Sequence, residues 1–270
     1  MESFEKKEST IEKSGVVFED FDVAFFDDAK EAMGDKFEED LKETKELVDD
    51  VLGTEWKIGE NKLKLYLFCD EQQYKEYLKR NFPKSPPDWA TFDQKTNSIL
   101  KCSAIPQKKE DINICRANMF AGVGHEMAHL HPFFGGVGNK ASKGKWEQEM
   151  VCVFIEDKIR AKMGNDRMQK IFLDRAKKEL EQFKKERKDF SLKEIDTDWE
   201  NFYSVERLVY PWLEKKYGIE KLRQLWTMLF KEKKELEESL KEIYGKETKD
   251  IEDDFQEDVI KTEEYKEILE

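Results

Sequence analysis

The chain has 270 residues, of which 38% are hydrophobic and 40% charged, and its formal net charge is −13. This length suits one large domain or two subdomains and allows a substantial core. The acidic balance argues against nucleic acid or an anionic membrane surface as the main partner, and the apolar run MVCVFI is far too short to span a membrane.

The start of the chain and the cysteines indicate a reducing location. MESFEKKEST lacks the basic and apolar regions of a signal peptide. The four cysteines are scattered without C-x-x-C spacing, so we expect reduced thiols in the core rather than disulfides. Together these features predict a cytoplasmic protein.

Residues 1–14 are predicted to form a flexible polar lead, and strands and helices alternate after it. Clusters of β-branched, aromatic or alternating apolar residues predict three strands, at 15–26, 62–69 and 97–105. Asp27 and Asp28 are candidate N-caps of a helix that runs to Leu52 and stops at Gly53. A shorter helix is expected over 71–80.

Apolar residues recur at helical spacing over 111–131, which predicts a buried helix. Gly122 and Gly124 would weaken this helix, so they indicate close packing against another element. Strand signals disappear from Lys145 onward. The remaining candidate helices are 146–163, 165–188, 199–217, 219–243 and 249–268. The sequence thus divides into an α/β part over 15–131 and an all-helical part over 132–270.

The helix over 111–131 ends in the stretch GVGHEMAHLH, which holds all three histidines of the chain. His125 and His129 have the H-E-x-x-H spacing, which places both imidazoles on one helix face, where they can bind one Zn²⁺. Glu126 can then act as a general base on a water of the metal. His131 lies on a different face and precedes Pro132, so we expect it to be a neighbour of the site rather than a ligand.

A catalytic zinc needs a third protein ligand, and the next helix offers carboxylates. Glu147 and Glu149 open a mostly apolar helix, where an uncompensated charge is costly and a metal ion would compensate it. Spacing alone leaves these two glutamates equal, with Glu156 as a third possibility.

The order of these features resembles the gluzincin metallopeptidases, which include thermolysin-like enzymes, aminopeptidases and the small peptidase MA-like proteins. Their glutamate motif reads W-x-x-E-G-x-A-x-Y/F, and here the stretch from Trp146 to Phe154 is similar to it. The resemblance extends from about Val16 to Phe255. It includes three further stretches, LKLYLFCDEQQYKEYL, PDWATFDQKTNSILK and FYSVERLVYPWLEKKYGIEKLRQLW.

The resemblance implies an α+β zincin-like fold, with a small mixed sheet, an active-site helix and a helical C-terminal subdomain. It selects Glu149 as the third zinc ligand beside His125 and His129. The implied activity is a zinc metallopeptidase acting on peptides or proteins. Tyr203 is implied as the group that stabilises the oxyanion, with Tyr210 as the alternative.

Two positions depart from the family pattern, since Met150 and Cys152 replace a smaller glycine and alanine. The acidic signature with which aminopeptidases hold a substrate amine is also missing from GGVG. A catalytically weak or inactive zincin-fold metal-binding scaffold is therefore the alternative function. For a peptidase, the strand at 97–103 is expected to bind an extended substrate as an edge strand.

Overall fold

The computed structural model describes these parts of the chain: 13–18, 20–26, 29–58, 62–82, 90–93, 97–103, 112–135, 145–165, 170–171, 174–176, 178–179, 181–182, 185 and 191–261. It divides into two compact units, one of residues 1–38 with 58–119 and one of residues 39–57 with 120–270. Within the described parts, no helix combines the length and the apolar character that a membrane crossing requires.

The first unit contains a five-stranded sheet. Its strands are β1 (Lys13–Phe18), β2 (Phe21–Phe26), β3 (Leu63–Phe68), β4 (Ala90–Asp93) and β5 (Ser98–Cys102). The order across the sheet is β1-β2-β3-β5-β4. The inner pairs β2–β3 and β3–β5 are parallel, whereas the outer strands β1 and β4 pair antiparallel. The predicted α+β class with a small mixed sheet is confirmed.

One face of this sheet packs against α3 (Glu71–Asn81). Phe26 of β2 stacks on Phe68 of β3 with ring centroids 4.2 Å apart. Tyr74 and Leu78 of α3 are buried against the same cluster. The helix starts where Asp70 accepts a hydrogen bond from the Gln73 N–H, at 2.8 Å, which satisfies one of the free donors of the first turn.

Two strand predictions are wrong. The segment 15–26 is not one strand but an antiparallel hairpin in which Phe18 lies opposite Phe21, because a polar pair interrupts the apolar pattern. The segment 97–103 does not form an edge strand, because β4 pairs with β5 and covers that side of it. On this side of the sheet, β4 is the outer strand.

The helix predicted up to Leu52 is also divided. Gly34, with φ of 71°, separates α1 (Ala29–Met33) from α2 (Phe37–Leu52). Gly53, with φ of 66°, follows the end of α2 as expected, because glycine adopts the left-handed conformation without steric cost. The predicted N-caps Asp27 and Asp28 lie outside the described residues.

The second unit is helical in its described parts. After α4 (Ile112–Leu130), whose first turns belong to the first unit, the helices are α5 (Lys145–Lys162), α6 (Leu192–Tyr217), α7 (Ile219–Phe230), α8 (Leu236–Tyr244) and α9 (Thr248–Phe255). A π-helical turn follows at 256–261. The single helix predicted over 219–243 is wrong, because the chain leaves helical geometry at 231–235, where Lys233 has φ of 59°.

Candidate metal centre

The histidine-bearing part of α4 packs closely against α5 and α2. A Cβ atom on Gly124 would lie 2.1 Å from the Ile159 Cδ1 and 3.2 Å from the Thr44 Cγ2. Only a residue without a side chain allows this approach. The expected close packing is confirmed at Gly124, and it brings α5 next to the residue that follows, His125.

Three side chains on these two helices form a compact group, here called the His–Glu cluster: His125, His129 and Glu149. The Nε2 atoms of the two histidines lie 3.2 Å apart. Glu149 places its Oε1 3.2 Å from the Nε2 of His125 and its Oε2 3.2 Å from the Nε2 of His129. The carboxylate of α5 therefore faces both imidazoles of α4.

The separations within the His–Glu cluster can be compared with those of a zinc site. In a tetrahedral site with bonds of about 2.0–2.1 Å, neighbouring ligand atoms lie about 3.3–3.4 Å apart. The two Nε2 atoms lie 3.2 Å apart, and each lies 3.2 Å from a different oxygen of Glu149, so these separations are close to that value. Two imidazole nitrogens and one carboxylate also form a donor set that zinc uses.

The neighbours of His125 and Glu149 shift the pKa of both groups. Burial by itself lowers the pKa of His125, but Glu149 and Glu156 outweigh it and raise that pKa to about 10. Burial raises the pKa of Glu149, whereas His125 and His129 lower it, and the net result lies well below its ordinary value. Both shifts favour a charged imidazolium of His125 beside a charged carboxylate of Glu149.

Cys152, predicted to be a reduced core thiol and larger than the alanine of the family pattern, also lies near the two imidazoles. Its Sγ and one ligand atom from each of His125 and His129 lie within 4.8 Å of one another. Burial, followed by the charges of Glu149, Glu126 and Glu156, raises the pKa of this thiol well above its ordinary value. Cys152 lies one helical turn after Glu149, and that spacing was the signal for its position.

Glu126, the predicted general base, is buried on α4. It lies close enough to Cys152 for its charge to raise the pKa of that thiol. Of the glutamates considered as ligands, Glu149 contacts both imidazoles, and Glu156 contacts the other ring nitrogen of His125. The role of Glu126 as the general base and the role of Glu149 as a metal ligand stay predictions.

Of the two tyrosines proposed to stabilise the oxyanion, the structure describes the side chain of Tyr210. Tyr203 lies in α6, but its side chain is outside the described residues. Tyr210 is buried, and its hydroxyl donates a long hydrogen bond, 3.5 Å, to the Glu147 carbonyl. Burial, followed by the Glu147 charge, raises the pKa of Tyr210 well above its ordinary value, so Tyr210 stays a neutral donor.

His131 is tied to the local fold. Its Nδ1 accepts a hydrogen bond from the Phe133 N–H at 3.0 Å, which caps the short 3₁₀ helix at Pro132–Phe134. Its Nε2 lies 3.3 Å from the Oδ1 of Asp49 on α2. Both ring nitrogens therefore have partners in the fold.

Comparison with known proteins adds no family to this description. No model of a known protein family matches the chain, and no curated protein matches it significantly. Function is therefore inferred from the side chains themselves.

Proposed function

We propose that this protein is a zinc-dependent metallopeptidase that hydrolyses peptide bonds in peptide or protein substrates. His125, His129 and Glu149 would hold the zinc. The observation that carries the proposal is the His–Glu cluster, in which the two Nε2 atoms lie 3.2 Å apart and each lies 3.2 Å from one of the two Glu149 oxygens.

The side chains around the cluster have the chemistry that hydrolysis needs. A bound zinc would supply a Lewis acid and a water whose pKa is about 7. Glu126 would take the proton of the attacking water and then deliver it to the leaving amine. A tyrosine hydroxyl would donate to the developing oxyanion. Tyr203 is proposed for that step, because the hydroxyl of Tyr210 is bound to the Glu147 carbonyl.

The zincin-like fold and the cytoplasmic location belong to the same proposal. The order of a mixed sheet, a helix carrying H-E-x-x-H and a following helix carrying Glu149 supports the fold. The described cysteines, Cys69, Cys102, Cys115 and Cys152, are free thiols, which suits a reducing compartment.

The test of the peptidase is the substitution Glu126→Gln. We expect the variant to bind one zinc per chain with unchanged affinity, because the ligands remain. Cleavage of a peptide library should fall by about 10²–10⁴-fold, the usual contribution of a general base. Cleavage at the wild-type rate would contradict the assignment of Glu126.

A metal-binding scaffold without peptidase activity is the second candidate. It is favoured by Cys152, whose position near both imidazoles allows it to act as a fourth ligand. A site closed by four protein ligands is structural and leaves no position for water. Cobalt-loaded protein would then show a thiolate charge-transfer band that Cys152→Ser removes, and no peptide would be cleaved.

A further inference from the structure

Parallel strands bring cysteines that are far apart in the sequence to one edge of the sheet. Cys69 directly follows β3, and Cys102 is the last residue of β5. Phe68 and Cys102 are register partners, and the Ser103 N–H donates to the Phe68 carbonyl at 3.0 Å. The pairing of β3 with β5 therefore places Cys69 beside Ser103.

The alternation of strand side chains assigns these residues to two faces of the sheet. Consecutive side chains of a strand point to opposite faces. Cys102 packs with Phe68 and Tyr74 in the buried cluster on the α3 side. Cys69 and Ser103, each one position later, are therefore directed to the other face.

Cys115, in the first turn of α4, contacts both of the residues on that other face. Its Sγ lies 3.4 Å from the Ser103 Oγ and donates to the Ser103 carbonyl at 3.5 Å. The Ser103 hydroxyl donates to the Cys115 carbonyl at 3.1 Å. The Cys69 thiol is a further hydrogen-bond partner of Cys115. Cys69 and Cys115, here called the thiol pair, are thus two free thiols in contact, 7% and 3% exposed.

The surroundings of the thiol pair stabilise a thiolate at Cys115. The hydrogen bond with Cys69 lowers the pKa of Cys115 most, burial raises it, and Ser103 and the Lys101 charge lower it further, to about 7. The helix dipole also favours a negative charge in the first turn of α4. At Cys102, by contrast, burial is the largest effect and raises the thiol pKa to about 12. One sulfur at this edge is therefore a nucleophile at neutral pH, whereas another is inert.

We propose that the thiol pair is a peroxide-reactive site, at which Cys115 is the attacking sulfur and Cys69 the resolving one. The Cys115 thiolate attacks one oxygen of hydrogen peroxide, so that an S–O bond forms and the O–O bond breaks. Hydroxide leaves and takes up a proton to give water. The product at Cys115 is a sulfenic acid.

The second step closes the disulfide. The sulfur of Cys69 attacks the sulfenic sulfur of Cys115, an S–S bond forms, and the S–O bond breaks. The leaving hydroxide takes up the proton of the Cys69 thiol, which gives a second water. In total two thiols are oxidised and one peroxide is reduced to two waters. A thiol reductant reverses the disulfide by exchange.

The contact within the thiol pair makes this chemistry reversible. A sulfenic acid that finds no second thiol is open to further oxidation, which is irreversible. Cys69 is already a neighbour of Cys115, so the resolving step needs no distant residue. The inference goes beyond the proposed peptidase, because neither cysteine belongs to the His–Glu cluster and neither step uses zinc.

The experiment treats the reduced full-length protein with hydrogen peroxide at neutral pH, blocks the remaining thiols and maps disulfides by mass spectrometry. We expect one disulfide per chain, between Cys69 and Cys115, that disappears after dithiothreitol. Cys102→Ala is the matched control, since it removes the thiol on the opposite face, and it should form the same disulfide to the same extent. A disulfide that includes Cys102, or a Cys115 oxidised to sulfinic acid without a link, would overturn the inference.

Two variants separate the attacking from the resolving sulfur. Cys69→Ser keeps a hydrogen-bond donor beside Cys115 but cannot form the disulfide, so dimedone should capture a sulfenic acid at Cys115. In Cys115→Ser, dimedone labelling of Cys69 should be lower by roughly tenfold, the difference in thiolate fraction between a pKa of about 7 and an ordinary thiol pKa of about 8.5. Equal labelling in the two variants contradicts the assigned roles.

The wild type alone provides a test that needs no variant to fold. Peroxide should oxidise the thiol pair of the native protein faster than the same cysteines of the protein unfolded in denaturant, because folding creates both the contact and the thiolate. A native protein whose thiol pair stays reduced, while the unfolded protein oxidises, refutes the site and leaves the zinc proposal unaffected.

Discussion

Two histidine environments lie within one short stretch of the chain and differ in what their ring nitrogens contact. His125 and His129 direct their Nε2 atoms at each other and at the Glu149 carboxylate. His131 instead bonds the Phe133 N–H through Nδ1 and faces Asp49 through Nε2. Its ring also packs edge-on against Trp56, with centroids 5.7 Å apart.

Under the proposed function, the difference separates two roles of histidine. Two like imidazoles beside a shared carboxylate form a group that a cation would stabilise. An imidazole that is fully engaged by a backbone N–H and a carboxylate of α2 stabilises the fold and has no nitrogen left for a metal. Substitutions around His125 and His129 should therefore change metal affinity, whereas substitutions around His131 should change the free energy of unfolding.

The largest effect is expected from Glu149→Gln. Loss of the charged ligand should weaken zinc binding by more than the about 10–100-fold that follows from removal of an outer-shell partner. Zinc titration of the folded variant measures it. Glu147→Gln is the matched control, two residues earlier on α5, and should bind zinc as the wild type does. The assignment is wrong if Glu147→Gln loses zinc and Glu149→Gln keeps it.

His131→Ala should produce the opposite result. The Phe133 N–H and Asp49 lose their partner, so the free energy of unfolding of the metal-free protein should fall by about 1–3 kcal/mol. The zinc affinity of the folded variant should not change, whereas His129→Ala should weaken it about as much as Glu149→Gln does. Denaturant unfolding and zinc titration of both variants decide this. Equal losses of zinc affinity in the two variants would contradict the separation.

The parts of the fold and site that could be predicted are those with local signals. Gly53 ended α2 as expected, and the H-E-x-x-H spacing placed two imidazoles on one helix face. The break at Gly34 was missed, because a glycine inside an acidic, helix-favouring stretch does not by itself end a helix. The short strand β4 was missed because proline-rich residues precede it and only four residues form it.

The surroundings of the site were harder to predict because they depend on contacts between distant segments. Arg207 meets Asp157 across 50 positions of sequence. Local patterns carry no information about that pair. Glu156 was considered as a ligand, and its distance along α5 from Glu149 placed it on the correct face. Only the packing of α4 against α5 shows that it faces the other ring nitrogen of His125.

Gly124→Ala tests how closely α4 approaches α5 beside the His–Glu cluster. The added Cβ would overlap the buried Ile159 Cδ1, at 2.1 Å. Overpacking costs about 1–3 kcal/mol, and the better helix propensity of alanine offsets up to about 1 kcal/mol of it. We expect a net loss of unfolding free energy of about 1–2 kcal/mol and weaker zinc binding, measured by denaturant unfolding and zinc titration.

The second variant that sharpens this test is Gly124→Ala with Ile159→Val, which removes the overlapping Cδ1. Ile159→Val alone should cost about 0.5–1.5 kcal/mol. Because the two residues are in contact, the double variant should be more stable than the sum of the single losses predicts. Additive losses would show that α5 does not rest on Gly124.

The smallest effect is expected around His131, in the pH dependence of stability that Asp49 contributes. Burial raises the pKa of Asp49, but hydrogen bonds from His131, Lys45 and the Trp56 N–H lower it below its ordinary value of 3.8. A carboxylate whose pKa is lower in the folded state contributes stability above its ordinary pKa, and this contribution disappears as the pH falls through the folded-state pKa.

Unfolding free energies of wild type and Asp49→Asn, measured from about pH 6 down to about pH 2, should therefore converge toward the acid end. Lys45→Met is the matched control, since it removes the 2.9 Å ion pair with Asp49 and leaves His131 in place. In Lys45→Met, the part of the unfolding free energy that Asp49 contributes and that is lost in acid should be smaller than in the wild type but not absent. A difference that stays constant with pH would show that Asp49 is not held as a carboxylate by His131. Zinc affinity at neutral pH should be the same in all three proteins, because Asp49 acts on the histidine that has no free nitrogen for the metal.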